Sequence, residues 1–188
     1  WIWPIAPRFA LLALLFLVLW LPSPGRVGGH VVALCAALLA AAHSHFAGVA
    51  FASFERDDVG DFDTALAQIP PGQRVVGLVF ARGSGHVRFS PFLHYVAYYQ
   101  ARKGGAVMFS FADFAQSPFQ FREDDRPPRV PPRWEWLPHQ VDPARDLAWY
   151  DWALVRGGPG RIAREGAAWR LVWRGRLWSV WARARENR

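Results

Sequence analysis

The sequence predicts an α/β protein in which a transmembrane helix hairpin precedes a small domain. Apolar runs occupy residues 9–21 and 27–42, and the composition changes abruptly to charged residues at Glu55. Beyond this change, strand-like runs alternate with a helix bounded by proline and glycine, which is the order of a parallel sheet. We therefore expect a transmembrane hairpin at residues 1–54 and a three-layer α/β domain at residues 55–188, with a mostly parallel sheet and a C-terminal antiparallel hairpin.

The first transmembrane helix is predicted at residues 8–22. This stretch would extend about 22 Å at the helical rise of about 1.5 Å per residue, which is short for a bilayer core. Trp1, Trp3 and Trp20 are residues that membrane interfaces favour. A secretory signal peptide is the rival interpretation. It is disfavoured because no positively charged segment precedes the run and a second apolar run follows at once.

The second transmembrane helix is predicted at residues 27–50, after a proline-containing turn. Because the turn is short, the two helices should be antiparallel, and the many alanines of the second helix permit close packing. Arg26 in the turn favours a cytoplasmic turn, which would place the domain on the periplasmic side of a bacterial inner membrane. The single cysteine, Cys35, lies within this run and is interpreted as a small apolar residue.

The ends of the sequence carry two further expectations. The chain begins with Trp1 and its single methionine is Met108, so we expect it to be the C-terminal part of a longer protein. Residues 156–188 carry nine arginines against two glutamates, which accounts for the whole net charge of +7. Such a tail suits nucleic acid, anionic lipid or an acidic partner. Beside a membrane we expect lipid headgroups, with no nucleic-acid partner.

The first half of the domain reads as a strand–helix–strand unit. Asp61 is a favourable N-cap for a short helix at residues 62–69. A β-branched run at residues 73–80 predicts a buried strand. A helix at residues 91–103 then begins at a serine–proline pair and ends at two glycines, before a second strand at residues 106–111. Such units pair their strands in parallel.

The second half of the domain is less regular. Residues 117–138 are rich in proline and predict a long surface loop. Short helices are predicted at residues 142–147 and 159–165, on either side of a third strand at residues 149–156. Residues 169–181 alternate apolar and polar side chains around a glycine, which predicts an antiparallel hairpin. The strand spacing of the many tryptophans favours core and membrane-surface packing over a nucleic-acid or carbohydrate site.

One group of polar residues stands out as a candidate ligand-binding site. His94, Tyr98 and Arg102 are spaced to share one face of the predicted helix. Arg82 and Arg88 lie in the preceding loop, at the carboxyl end of a predicted strand, where α/β sheets bind ligands. The alternative is a helix that packs its aromatic rings and leaves its polar tips in solvent. We predict an anionic ligand for this group, such as a phosphate or a sugar carried on a lipid.

Other patterns do not identify chemistry. His43 and His45 would point apart on a helix, so they cannot chelate one ion. The acidic run at residues 57–63 lacks the central glycine and the terminal bidentate glutamate of an EF-hand loop. Residues 82–85 (RGSG) match neither a Walker loop nor a dinucleotide fingerprint. No Ser-His-Asp order or pair of carboxylates on rigid elements is recognisable. We therefore predict no catalytic residue, no metal site and no cofactor.

Four segments carry a resemblance to a known family: WPIAPRFALLALLFLVLWLP, FDTALAQIPPGQRVVGLVF, SPFLHYVAYYQARKGG and WYDWALVRGG. They resemble the C-terminal parts of bacterial polytopic glycosyltransferases of the GT-C superfold, the relatives of polyprenyl-phosphate-sugar mannosyltransferases. The resemblance implies final membrane helices followed by an outer-side α/β domain that helps to position a donor or an acceptor. That family carries its catalytic acidic residue on an early outer loop, which has no counterpart here, so no catalytic residue is carried over.

Two functions therefore remain open. In the first, the chain is the C-terminal part of an enzyme that uses a polyprenyl-phosphate sugar. In the second, it is a non-enzymatic subunit whose helices pack against the transmembrane helices of a larger complex. The upstream reading frame separates them, because many further hydrophobic helices would favour the first and a start codon just before Trp1 the second.

Overall fold

The chain divides into two compact units, Trp1–Val49 and Ala50–Arg188. The computed structural model describes residues 25–110, 112, 116–123, 126–128, 134–158, 160–163 and 168–184. The first transmembrane helix predicted at residues 8–22, and with it the antiparallel pair, lies outside these residues. The division falls inside a helix, ahead of the boundary predicted between Phe54 and Glu55.

A long apolar helix, α1, occupies Arg26–Phe54. Its 29 residues extend about 43 Å, which exceeds the bilayer core of about 30 Å. Large apolar side chains along it are exposed, and Leu39 has 72% of its surface accessible. The helical segment Gly28–Val59, which contains most of α1, is long and apolar enough to cross a membrane, with a mean hydropathy of 1.7 over its 18-residue apolar window. Apolar surface exposed on all sides is typical of a helix in lipid.

The second unit is built on a five-stranded mixed sheet. Its strands are β1 (Arg74–Val79), β2 (Ala106–Val107), β3 (Trp152–Arg156), β4 (Trp169–Arg174) and β5 (Trp178–Arg183), and its short helices are α2 (Phe62–Ala67) and α3 (Ala97–Lys103). The strand order is β2-β1-β3-β5-β4. β1 is parallel to β2 and β3, whereas β5 is antiparallel to β3 and β4. The α/β class, the three neighbouring strands and the C-terminal hairpin are confirmed.

Both faces of the central strands are covered. Consecutive residues of β3 and β5 are buried, which is typical of a sheet packed on two sides. On one face Val96 lies against Gly77, where an added Cβ would be 2.8 Å from the Val96 Cβ. The glycine thus lets the segment before α3 approach the sheet closely. Phe92 and Tyr99 are buried in the same core.

The helix predicted at residues 91–103 is regular only in its second half. Tyr95, Ala97, Tyr98 and Tyr99 each donate their N–H to the residue three positions earlier, so the chain before α3 forms tight turns. His94 therefore lies in the turns that precede α3 and not in the helix itself. His94, Tyr98 and Arg102 are all exposed, and their sharing of one face stays a prediction.

Two further local predictions are corrected. The strand expected at residues 106–111 ends at Val107, because Phe109 has a φ of 57°, which interrupts an extended chain. Asp61 precedes α2 as expected, but its carboxylate makes no capping bond to that helix. It accepts a hydrogen bond from the Leu177 N–H at 3.1 Å instead. The Asp61 carboxylate thus bonds to Leu177, which is distant in sequence, and not to the N–H groups of the adjacent helix.

Candidate functional site

The end of α1 is fastened within the second unit through its backbone carbonyl groups. The chain continues past Phe54 as one π-helical turn, Glu55–Val59, which Gly60 closes by donating its N–H to the Glu55 oxygen. A helix end leaves such carbonyls without partners inside the helix. Here the next four accept from side chains far away in sequence: Arg56 O and Asp57 O from Arg176 Nη2 (3.0 and 3.1 Å), Asp58 O from Arg156 Nη2 (2.8 Å), and Val59 O from Trp178 Nε1 (2.9 Å).

Arg156 is the central cation of this arrangement. It ends β3 with only 4% of its surface exposed, and its guanidinium lies 3.6 Å from the ring centroid of Phe92. One nitrogen donates to Asp58 O and another to Ala81 O, so Arg156 joins the end of α1 to the segment after β1. Burial lowers the pKa of Arg156, while the negative charges of Asp58 and Asp61 oppose the shift. Arginine stays protonated at neutral pH all the same.

Asp61 holds the β4–β5 hairpin at the same place. Its Oδ1 accepts from the Leu177 N–H, while Oδ2 is buried against Gly175. A Cβ on Gly175 would collide with that oxygen, so only glycine fits at this position. We name the residues around the end of α1 the exit cluster: Asp58, Asp61, Ser84, His86, Arg156, Arg176 and Trp178.

Ser84, His86 and Asp58 meet in the exit cluster, but not as a catalytic triad. The Ser84 hydroxyl donates to Asp58 Oδ2 at 2.5 Å and accepts from the N–H groups of His86 and Val87. His86 Nδ1 lies 2.9 Å from the same Asp58 oxygen. In a triad the histidine stands between serine and carboxylate and accepts the serine proton. Here the carboxylate takes that bond itself, so the arrangement fixes the loop and does not activate a nucleophile.

The five residues predicted as a ligand site are only partly brought together. The Arg102 guanidinium lies 5.4 Å from the Tyr98 ring centroid and forms an ion pair with Asp63 at 2.5 Å. The Arg82 guanidinium stands 5.6 Å from the ring centroid of Trp136. Arg88 and His94 are exposed. Within the described part of the chain, no hydrogen bond or ion pair joins the two loop arginines to the other three, and their ligand-binding role stays a prediction.

A groove lies at the opposite end of the sheet, where β1 and β2 begin. Its volume is about 670 Å³, within the usual range of small-molecule sites. We name it the amino-end groove; its lining residues are Gly72, Arg74, Gly105, Ala106, Gln120, Phe121, Arg122 and Trp149. Since β1 has six residues at about 3.3 Å each, the groove lies about 20 Å from the exit cluster.

Arg74 is positioned at the edge of this groove by two contacts. Its Nε donates to Asp151 Oδ2 at 3.0 Å, and its guanidinium stands 5.1 Å from the ring centroid of Trp149. Arg122, on the loop after β2, is exposed. The groove therefore combines two cations with an indole and a phenyl ring. This combination suits a ligand that carries both an anionic group and an apolar face.

Both sites contain residues that the sequence reasoning missed. Arg156 ends an otherwise apolar run, WALVR, and a charge at the end of a buried strand could have drawn attention to it. No comparable local signal marks Arg176 or the groove residues. Among the described residues, no group of three His, Cys, Asp or Glu side chains is placed to hold a metal ion.

Comparison of the chain with protein-family models, curated proteins and solved structures finds no match.

Proposed function

We propose that this chain is a membrane-anchored, non-catalytic α/β domain that binds an anionic ligand in the amino-end groove. The proposal rests on one observation: the polar groups at the two ends of the sheet have different surroundings. At the exit cluster, Asp58, Ser84 and Arg156 are bonded to one another or to backbone carbonyls. At the groove, Arg74 and Arg122 border an open volume beside Trp149.

The ligand class we propose is a phosphorylated sugar. A guanidinium can donate two parallel N–H bonds to a phosphate, and the apolar face of a sugar ring can pack on an indole. The resemblance to lipid-linked-sugar glycosyltransferases supports this choice, with the domain on the periplasmic side of a bacterial inner membrane. Because the groove lies about a strand length from the end of α1, it favours an acceptor over the headgroup of a lipid-linked donor.

The second candidate is an accessory subunit whose anchor packs against other transmembrane helices. The observation that favours it is the exposure of small residues on α1, including Ala36, Ala40 and Gly48. Small residues let the backbones of membrane helices approach closely. A start codon immediately upstream of Trp1 in the encoding frame would favour this candidate, whereas many upstream hydrophobic segments would favour the glycosyltransferase.

Ligand binding can be tested on the full chain in detergent micelles, with glucose 1-phosphate as the probe and calorimetry as the readout. Arg122→Ala should weaken binding about tenfold, because a hydrogen bond to a charged group is worth about 1.5 kcal/mol or more. Arg170→Ala is the matched control, since Arg170 is an exposed arginine on β4 and does not line the groove. Absence of binding, or equal affinity of the two variants, would overturn the proposed ligand class.

A further inference from the structure

The segment after β1 presents apolar side chains to solvent beside a cation. Phe89 has 76% of its surface exposed and Val87 has 38%, and Arg88 between them is exposed as well. Single exposed apolar residues are common on proteins, but two of them flanking an arginine on one irregular loop form a local amphipathic surface. We name residues 84–89 the exit loop.

The exit loop is held against the residues through which the chain leaves α1. Ser84 Oγ donates to Asp58 Oδ2 at 2.5 Å, and His86 Nδ1 lies 2.9 Å from the same oxygen. Asp58 comes four residues after Phe54, the last residue of α1, and is therefore about one helical turn, or about 6 Å, beyond it. The loop is fixed where the apolar run ends and charged residues begin.

We infer that the exit loop lies in the interfacial layer of an anionic bilayer, with Phe89 and Val87 at the level of the acyl boundary and Arg88 among the lipid phosphates. This inference rests on the proposed membrane anchoring by α1. The change from the apolar residues that end at Phe54 to the charged residues that begin at Glu55 marks the height of the interface, and a loop fixed within one turn of that change shares its height. Aromatic and basic side chains are the ones that this layer favours.

The exposed groups fit a lipid surface better than a protein partner. Two apolar side chains and one arginine cover far less than the roughly 1,000 Å² that a stable protein interface requires. A bilayer surface needs no such area, because α1 already holds the chain there and the loop adds its contacts at high effective concentration. The acidic neighbour Asp57 does not oppose contact strongly, since it is paired with Arg56 at 3.3 Å.

The test places an environment-sensitive NBD fluorophore at three positions of the full chain. Cys35→Ala removes the single cysteine, and Phe89→Cys, Phe119→Cys or Leu39→Cys then supplies one labelling site. Phe119 is the matched control: it is 78% exposed, like Phe89, but it precedes the groove residues Gln120 and Phe121 at the other end of the sheet. Leu39 lies on α1, so quenching at this position reports the membrane insertion of α1 independently of the exit loop. The proteins are reconstituted in phosphatidylglycerol vesicles that carry nitroxide-labelled lipid.

The expected result is quenching by lipid nitroxide at Leu39 and Phe89, with at least a twofold loss of fluorescence at Phe89 and none at Phe119. Quenching at Leu39 with equal, weak quenching at Phe89 and Phe119 would overturn the inference and leave the anchoring intact. No quenching at Leu39 would overturn the proposed anchoring, and the placement of the exit loop with it.

Discussion

The two ends of the sheet use the same residue types for opposite purposes. At the exit cluster, Arg156 and Trp178 donate to the backbone carbonyls of a helix end and are buried by doing so. At the amino-end groove, Arg74 and Trp149 lie against each other, yet both border an open volume. The two ends of the sheet differ in the hydrogen-bond acceptors that lie beside these cations. At the exit cluster the carbonyls of a helix end accept from the cations, whereas at the groove Arg74 bonds to Asp151 through Nε alone and Arg122 lies exposed beside the open volume.

Among the substitutions that test this comparison, Arg156→Ala is expected to have the largest effect on stability. The substitution leaves the part-buried carbonyls of Ala81 and Asp58 without their charged donor, which should lower the free energy of unfolding by about 3 kcal/mol. Denaturant unfolding of the full chain in micelles, followed by tryptophan fluorescence, measures the change. Arg170→Ala should alter stability by less than about 0.5 kcal/mol. Similar values for the two variants would show that Arg156 does not hold the end of α1.

Gly175→Ala should be the next most damaging change. The added Cβ collides with Asp61 Oδ2, so the carboxylate must shift and lose its bond to the Leu177 N–H. We expect a cost of about 2 kcal/mol in the same unfolding experiment. Gly158→Ala is the matched control, since nothing lies within 4 Å of its Cβ position. A neutral Gly175→Ala would mean that Asp61 does not hold the β4–β5 hairpin.

Much of the fold could be predicted from local sequence signals, and the exit cluster could not. The strands at residues 74–79 and 152–156 are short, mainly apolar runs between turn residues, and these signals lie in the runs and their immediate neighbours. The exit cluster depends on bonds between residues 98 and 120 positions apart, such as Arg156 with Asp58 and Arg176 with Arg56. No periodicity within a window encodes such pairs.

In the candidate sites, too, contacts between residues distant in sequence could not be predicted. Residues close in sequence, such as Tyr98 and Arg102, could be predicted to meet because helix spacing sets their distance. The groove assembles side chains from positions 74, 120–122 and 149, which only the strand order brings together. The tight turns before α3 also escaped prediction, because the serine–proline pair at residues 90–91 favours a helix start in either case.

Ser84→Ala should produce a smaller effect, confined to the exit loop. Without the hydroxyl, the N–H groups of His86 and Val87 lose their acceptor and Asp58 loses a donor. We expect a loss of about 1 kcal/mol and faster amide hydrogen exchange at residues 84–89. Ser117→Ala, which removes only a local turn bond to the Phe119 N–H, should leave those amides unchanged. Unchanged exchange after Ser84→Ala would contradict the proposed fastening of the loop.

The smallest effect is expected at alkaline pH, from Tyr99. Its hydroxyl donates to Pro70 O at 2.6 Å, and burial raises its pKa above the ordinary value of 10.0. A raised pKa in the folded state means that the stabilisation is complete below about pH 10 and is lost as the pH rises through the folded value. The free energy of unfolding should therefore fall above pH 10, and Tyr99→Phe should make that fall shallower. If the free energy of unfolding falls equally steeply with pH in the wild type and in Tyr99→Phe, Tyr99 is not a source of the pH dependence.

The central claim is that the exit cluster stabilises the fold while the amino-end groove binds a ligand. Thermal unfolding of the full chain with and without glucose 1-phosphate tests this claim most directly. A ligand that binds the folded state raises its melting temperature. Arg122→Ala should melt like the wild type without ligand and lose the ligand-induced rise. Arg176→Ala should melt at a lower temperature, because two carbonyls lose their donor, yet retain the rise. A ligand-induced rise that survives Arg122→Ala, or vanishes with Arg176→Ala, would contradict this account.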